Sequence, residues 1–222
     1  MRKEGKVNLM QFIDLSHAIE QGMTVFPGDP EPCIEVVETE PPWQVSRLVL
    51  GTHTGTHIDA ASHLVPEGKT ITQYPPERFL LTGIVVPLEG SGEDAPITAE
   101  ALRSQLEALP AGGAVLLRTG WDLYWKSERY LRHPYLSPEA AQLLVEAGAS
   151  LVGIDALSVD SSVQGTQHAH ATLLGNDVLI VENLARLDRL VSGVVYQYSF
   201  LPLPLRGLDG SPVRALAWRA AS

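Results

Sequence analysis

The 222-residue chain contains a single cysteine, Cys33. An internal disulfide is therefore impossible and a cluster of thiolate ligands is excluded, so any metal must be held by nitrogen and oxygen. Cys33 lies beside Pro30 and Pro32 with no local histidine, which argues against a catalytic thiol. Basic residues are also scarce: 16 Lys and Arg stand against 26 Asp and Glu, giving a formal charge of −10 and a pI near 5.1. That balance repels nucleic acid and anionic lipid, and it predicts a small-molecule partner instead. No apolar run approaches membrane-spanning length. The start, from Met1 to Asn8, carries Arg2, Lys3 and Lys6, but no apolar stretch of signal-peptide length follows before Asp14. Cytoplasmic residence is the expectation. Three further absences narrow the chemistry. There is no Gly-x-Ser-x-Gly elbow, no His-Glu-x-x-His motif and no dinucleotide-type glycine fingerprint. Gly68-Lys69-Thr70 resembles the tail of a phosphate loop, but His63 stands where the leading glycine belongs, so the segment reads as a turn.

What is present suffices for a core. With 45% hydrophobic residues and mean hydropathy near zero, the chain is expected to fold as one domain over 1–222. Gln44 to Leu50 partly alternates polar and apolar residues, as strands do. Gly83 to Leu88 and Ala114 to Arg118 read as buried strands. Thr98 is a plausible N-cap for a helix from Ala99 to about Ala108, and Ser137 with Pro138 opens a second helix, with Gly148 at its C-terminal cap. Two apolar runs follow, Leu151 to Ile154 and Val178 to Val181, and each ends in a carboxylate, Asp155 and Glu182. A charge at the end of a buried strand is costly unless paired or metal-bound, and strand ends are where α/β proteins gather their sites. Mixed α/β architecture with a site at one edge is the prediction.

The densest chemistry lies in Gly51-Thr52-His53-Thr54-Gly55-Thr56-His57-Ile58-Asp59-Ala60-Ala61-Ser62-His63, which holds three of the seven histidines. If it continues the preceding strand, His53, Gly55, His57 and Asp59 share one face, with Gly55 leaving space between the imidazoles. Two imidazoles and a carboxylate suit zinc, manganese or non-haem iron. A second cluster, Gln167-His168-Ala169-His170, precedes the strand that ends at Glu182. Alone it is weak, since either histidine could cap a helix or face solvent. Glu182 could equally pair with Arg118 or Arg186. Asp155 and Asp160 fit either as turn residues or as partners that orient the histidines.

These residues resemble the cyclase family of metal-dependent hydrolases, which includes bacterial kynurenine formamidases and isatin hydrolases. The resemblance is carried by His53 to His63, supported by Asp14-Leu15-Ser16, Phe26-Pro27-Gly28-Asp29, Gly153-Ile154-Asp155, Ser158-Val159-Asp160 and the series from His170 to Glu182-Asn183-Leu184. It implies a swivelling three-layer β/β/α fold with a barrel-like mixed sheet and flanking helices, assembled as a homodimer or higher homo-oligomer. His53, His57 and Asp59 would hold one metal, and Asp59, Glu182 and His170 a second. His170 is preferred to His168 because its spacing to Glu182 agrees with the family pattern. His63 would transfer protons, and Phe26 would form the substrate wall. Divalent zinc, one or two ions per chain, is the expected cofactor, with manganese the alternative. The implied reaction is cleavage of a small amide, foremost an aryl formamide such as N-formylkynurenine, by a metal-activated water. Opening of an isatin-like cyclic amide or lactone is the enzymatic alternative, and a metal-stabilised binding protein the non-enzymatic one. The chain departs from kynurenine formamidases in having Phe26 where they carry tryptophan, Ala61 where proline is frequent, and Ala169 between two histidines that they tend to have adjacent.

Overall fold

The computed structural model describes residues 11–88 and 90–219; Arg2, Lys3 and Lys6 lie outside them. The strands in chain order are β1 (Phe12–Asp14), β2 (Cys33–Val37), β3 (Val45–Val49), β4 (His57–Asp59), β5 (Leu80–Pro87), β6 (Pro96–Ile97), β7 (Ala114–Arg118), β8 (Tyr135–Leu136), β9 (Leu151–Ile154), β10 (Leu179–Glu182), β11 (Tyr196–Ser199), β12 (Gly210–Pro212) and β13 (Leu216–Trp218). The α-helices are α1 (Ala99–Arg103), α2 (Pro138–Glu146) and α3 (His168–Gly175). A nine-stranded mixed sheet, in the order β1-β13-β11-β5-β7-β9-β10-β4-β12, curls into a half-barrel. Its centre, β5-β7-β9-β10, is parallel, and the flanking pairs are antiparallel.

The continuous apolar runs read from the sequence are these central strands, and both faces of the sheet explain them. Alternate residues point to opposite faces. Ile84, Val86, Val115, Leu117, Val152 and Ile154 belong to the core under α2 and α3, where Leu144 and Leu173 close the packing. Val85, Leu116, Leu151, Leu179 and Val181 belong to a second core with Ile58, Tyr196, Tyr198 and Phe200. A strand covered on both sides has no polar face to reveal its period.

The caps form as expected. The Thr98 hydroxyl accepts from the Ala101 amide and the Ser137 hydroxyl from the Ala140 amide, while Gly148 takes φ +78° after α2. The first helix is shorter than predicted: α1 ends at Arg103, and a separate 3-10 turn covers Leu106–Ala108. Strand β10 begins at Leu179 rather than Val178 and takes in Glu182. No helix among the described residues is long and apolar enough to cross a membrane.

One glycine sets how closely the central strands approach. Gly83 pairs with Ala114, and a Cβ at position 83 would lie 2.1 Å from the Ala114 carbonyl oxygen. Backbone on a central parallel strand cannot retreat without breaking its ladder. Gly83→Ala is expected to destabilise the fold by about 3 kcal/mol, read as a lowered urea midpoint or loss of soluble protein.

The largest correction concerns the strand before the histidine motif. It stops at Val49 and pairs only with β2, as a two-stranded hairpin apart from the main sheet. Residues 50–56 form a loop, and Gly55 sits at φ +64°, where an extended strand cannot continue. The histidine motif therefore spans a loop, the short strand β4 and a 3-10 turn over Ala61–His63.

Candidate metal centre and active site

Strand β4 carries His57 and Asp59 two residues apart, so both side chains leave the same face. Antiparallel pairing sets Glu182 of β10 opposite His57, and Gly210 of β12 opposite Asp59. The loop folds back to deliver His53, and α3 delivers His170. Together these elements gather donors from residues 53–59 and 170–182 into one buried cluster. His53 Nδ1 lies 2.7 Å and His57 Nε2 3.3 Å from Asp59 Oδ1. His57 Nε2 is 3.6 Å from Glu182 Oε2, while His170 Nε2 is 3.4 Å from Glu182 Oε1 and 3.8 Å from Asp59 Oδ2. Two triads, His53-His57-Asp59 and Asp59-His170-Glu182, each bring one donor atom per residue within 4.8 Å of the others. Asp59 belongs to both. His53 joins this group from the loop, not from a shared strand face. Gly55 does not separate the imidazoles either: a Cβ there would meet Met23 and Ile19.

Neighbouring groups aim two of the imidazoles. The Gly55 carbonyl receives a hydrogen bond from His57 Nδ1 at 2.8 Å, and a carbonyl only accepts, so Nδ1 carries the proton and Nε2 faces the carboxylates. The same carbonyl accepts from Asn183 Nδ2, whose own side-chain oxygen accepts from the Tyr130 hydroxyl. His170 Nδ1 lies 2.8 Å from Asp160 Oδ2, again leaving Nε2 toward Asp59 and Glu182. Asp160 is held in turn by the amides of Ala169 and His170 and by the Thr166 hydroxyl. It orients a histidine. Asp155 has the other role: it accepts from the Thr119 amide and hydroxyl and from the Gly120 amide, pinning the loop after β7. His168 stays out of both triads: its Nε2 donates to the Leu136 carbonyl at 2.7 Å and its Nδ1 lies 3.6 Å from Asp160 Oδ1. Arg186, one suggested partner for Glu182, instead donates to the Asp14 and Ser16 carbonyls. Arg118 donates to the Leu190 carbonyl.

The electrostatics are those of a site built for positive charge. Asp59 is fully buried and Glu182 is 5% exposed, and among the described residues the ion pairs of both are with histidines alone. Burial works to raise the Asp59 carboxyl, but His57 and His53 hold it well below the ordinary range. Burial and the neighbouring Asp59 charge raise Glu182. Burial would lower His53, yet Asp59 and Asp209 lift it to about 9, and Asp160 and Asp59 likewise raise His170 against its burial. Asp59 Oδ2 is buried with no hydrogen-bond partner. An orphaned carboxylate oxygen amid imidazole nitrogens is costly in a protein interior unless a cation completes it. The donor set fits a divalent metal, with oxygen and nitrogen ligands only, as the cysteine count requires.

Beside the cluster lies a cavity of about 450 Å³ whose lining includes Phe26, Asp29, His53, His63, Gln167 and His170. The His63 ring stands 4.0 Å from that of His53 and 5.6 Å from that of His170, with its side chain 33% exposed. It enters neither triad that contains Asp59, but with His53 and Asp209 it forms a third group of donors within 4.8 Å of one another. Phe26 is 42% exposed at the cavity wall. One participant has no signature in the sequence: Asp209, preceding β12, lies 3.0 Å from both His53 Nε2 and His63 Nδ1. An Asp-Gly pair reads as a turn, and its separation from the histidines hides it from any local pattern.

A half-barrel sheet with a buried His/Asp/Glu cluster beside a cavity makes a site whose donors fit a divalent metal. The chain belongs to the Cyclase family, whose model matches residues 13–161. It is 31% identical to the kynurenine formamidase of Maricaulis maris (strain MCS10), over 91% of this chain and 95% of that one. Among solved structures, isatin hydrolase A from Labrenzia aggregata superposes with a TM-score of 0.83 at 26% identity, covering 96% of this chain and 94% of the other. A protein from Bacillus stearothermophilus described as a predicted metal-dependent hydrolase superposes with a TM-score of 0.79 at 28% identity, covering 95% and 99%. The chain is thus a hydrolase enzyme of this family.

Proposed function

We propose that this enzyme cleaves an aryl formamide, N-formylkynurenine in the first instance, using zinc. The observation that carries the proposal is His63 at the border between the buried donor cluster and a cavity sized for a small aromatic substrate. Similarity to a kynurenine formamidase supports the substrate class. His53, His57 and Asp59 would hold one ion, and Asp59, His170 and Glu182 a second. A divalent cation lowers the pKa of water from about 15.7 to about 7 and polarises a carbonyl.

The protein's own groups do the rest. Phe26 forms an apolar wall for an aryl ring, and the cavity sets the formyl carbon beside the cluster. Gly55 and Asp160 hold the His57 and His170 rings so that neither reorients during turnover. As water adds to the formyl carbon, His63 takes its proton and returns it to the aniline nitrogen as the C–N bond breaks, so that formate and a free amine leave. A second reading, opening of an isatin-like cyclic amide, is favoured by the likeness to isatin hydrolase A; the same groups would serve, with the ring nitrogen as leaving group. The proposal includes self-association. The β2-β3 hairpin stands apart from the main sheet and exposes apolar side chains on both faces, Val37, Val45 and Val49 on one and Val36 and Leu48 on the other, surface that a second copy of the chain would cover.

The test is turnover of N-formylkynurenine and of isatin by protein reconstituted separately with zinc and with manganese, alongside a chelated control. Chelator-sensitive turnover of the formamide, at a kcat/KM at least about tenfold above that for isatin, is expected. Turnover of isatin alone would transfer the assignment to cyclic amides.

A further inference from the structure

Asp209 enters the site from the opposite end of the chain. Its backbone carbonyl accepts from the Ala60 amide at 2.8 Å, and the preceding Leu208 carbonyl accepts from the Ile71 amide at 3.0 Å. Two backbone hydrogen bonds thus fasten this loop to the segment bearing the histidine motif. The next residue, Gly210, pairs with Asp59; a Cβ there would lie 2.8 Å from His53 Cε1 and 3.0 Å from the Ile58 carbonyl oxygen. Only glycine lets β12 approach this closely, and that approach brings the Asp209 carboxylate to the imidazoles. One oxygen, Oδ2, then lies 3.0 Å from both His53 Nε2 and His63 Nδ1. A carboxylate oxygen has two lone pairs and accepts from both.

The geometry assigns Asp209 as a positioning residue that holds His63 in the tautomer protonated at Nδ1, leaving Nε2 as the nitrogen that exchanges protons with substrate. A neutral imidazole has one N–H, and an ionised carboxylate only accepts, so a hydrogen bond at Nδ1 fixes the proton there. Without this partner the ring is free to rotate and to move its proton to Nε2, where it is no longer a base toward the cavity. The same oxygen accepts a second hydrogen bond from His53 Nε2, while His53 Nδ1 faces Asp59 Oδ1 at 2.7 Å. One carboxylate therefore sets the orientation of a proposed ligand and of the proton-transfer group together.

The inference rests on His63 as the proton-transfer residue, and its test separates the two. Full-length protein labelled with 15N-histidine is examined without metal at pH 8 by long-range 1H–15N correlation, with His63→Gln identifying the His63 signals. The pattern of an Nδ1-protonated ring is expected in the unsubstituted protein, and a shift toward the Nε2-protonated form in Asp209→Ala. An Nε2-protonated His63 in the unsubstituted protein, or an unchanged pattern in Asp209→Ala, overturns the assignment whatever the enzyme's substrate. In the zinc-loaded protein, Asp209→Ala is expected to lower kcat by about ten- to a hundredfold with KM within about twofold and zinc content unchanged. Asp209→Asn, whose amide oxygen still accepts from Nδ1, should recover part of that loss. On a His63→Ala background the same substitution should cost nothing further. Loss of zinc in Asp209→Ala, or a full additional loss on the His63→Ala background, would show that Asp209 acts as a ligand or independently of His63. Absence of turnover in the unsubstituted protein would count against the formamidase proposal and leave the tautomer result standing.

Discussion

Asp59→Ala is expected to strip the protein of its metal and to lower turnover on the order of a thousandfold or more. No other side chain belongs to both donor triads. Its Oδ1 meets His53 and His57, and its Oδ2, buried without a hydrogen-bond partner and 3.8 Å from His170 Nε2, is the oxygen a cation would complete. Removing it takes a donor from each triad and leaves Glu182 as the one carboxylate in the two. Metal content measured by mass spectrometry after dialysis, beside kcat/KM on the same preparation, checks the prediction. If Asp59→Ala retained full metal and activity, the proposed centre would be wrong. Asp59→Asn adds a useful comparison, because it keeps the volume and one acceptor but removes the charge. It should still retain far less metal than the unsubstituted protein.

His63→Ala should give the opposite dissociation of effects. His63 shares the cavity with the triads, but the nitrogen it offers the cluster is held by Asp209, and the ring belongs to neither triad that contains Asp59. Metal content should therefore stay near that of the unsubstituted protein while kcat falls by about a hundred- to ten-thousandfold, the range of a lost general acid–base. Loss of metal in parallel with activity would reassign His63 as a ligand, and the nearness of His53, His63 and Asp209 makes that outcome measurable rather than rhetorical. The two substitutions form a pair: one removes the ion and with it the chemistry, the other keeps the ion and removes the proton path.

Much of this site could be read from the chain because its residues cluster locally. His53, His57, Asp59 and His63 lie within eleven positions, and their types restrict the chemistry to nitrogen and oxygen ligation. The central strands were legible for the same kind of reason, since a doubly covered strand is an uninterrupted apolar run. The path between Val49 and His57 was not. Period-two reasoning extends a strand until something stops it, and here Gly55 at φ +64° turns the chain out of the sheet. His53 reaches the cluster nonetheless, from the loop rather than from a strand face. Asn183 and Asp209 illustrate the other limit. Asn183 adopts φ +55° and bonds across the sheet to Gly55, and Asp209 reaches His63 over a separation of 146 residues. Nothing in the neighbourhood of either residue announces such a partner, because the information lies in strand order: β12 neighbours β4, although most of the chain separates them.

That strand order has a thermodynamic consequence. Donors from the loop before β4, from α3 and from β10 converge only in the native arrangement, so an ion bound there has no comparable site on the unfolded chain. By mass action, free metal at a thousandfold above its dissociation constant adds about 4 kcal/mol to stability, a large share of the roughly 5–15 kcal/mol by which a typical domain stays folded. The ion that serves the chemistry is then also a folding ligand. A chelator would lower the melting temperature as well as the rate, and a substitution that merely weakens metal retention would register as a destabilised fold.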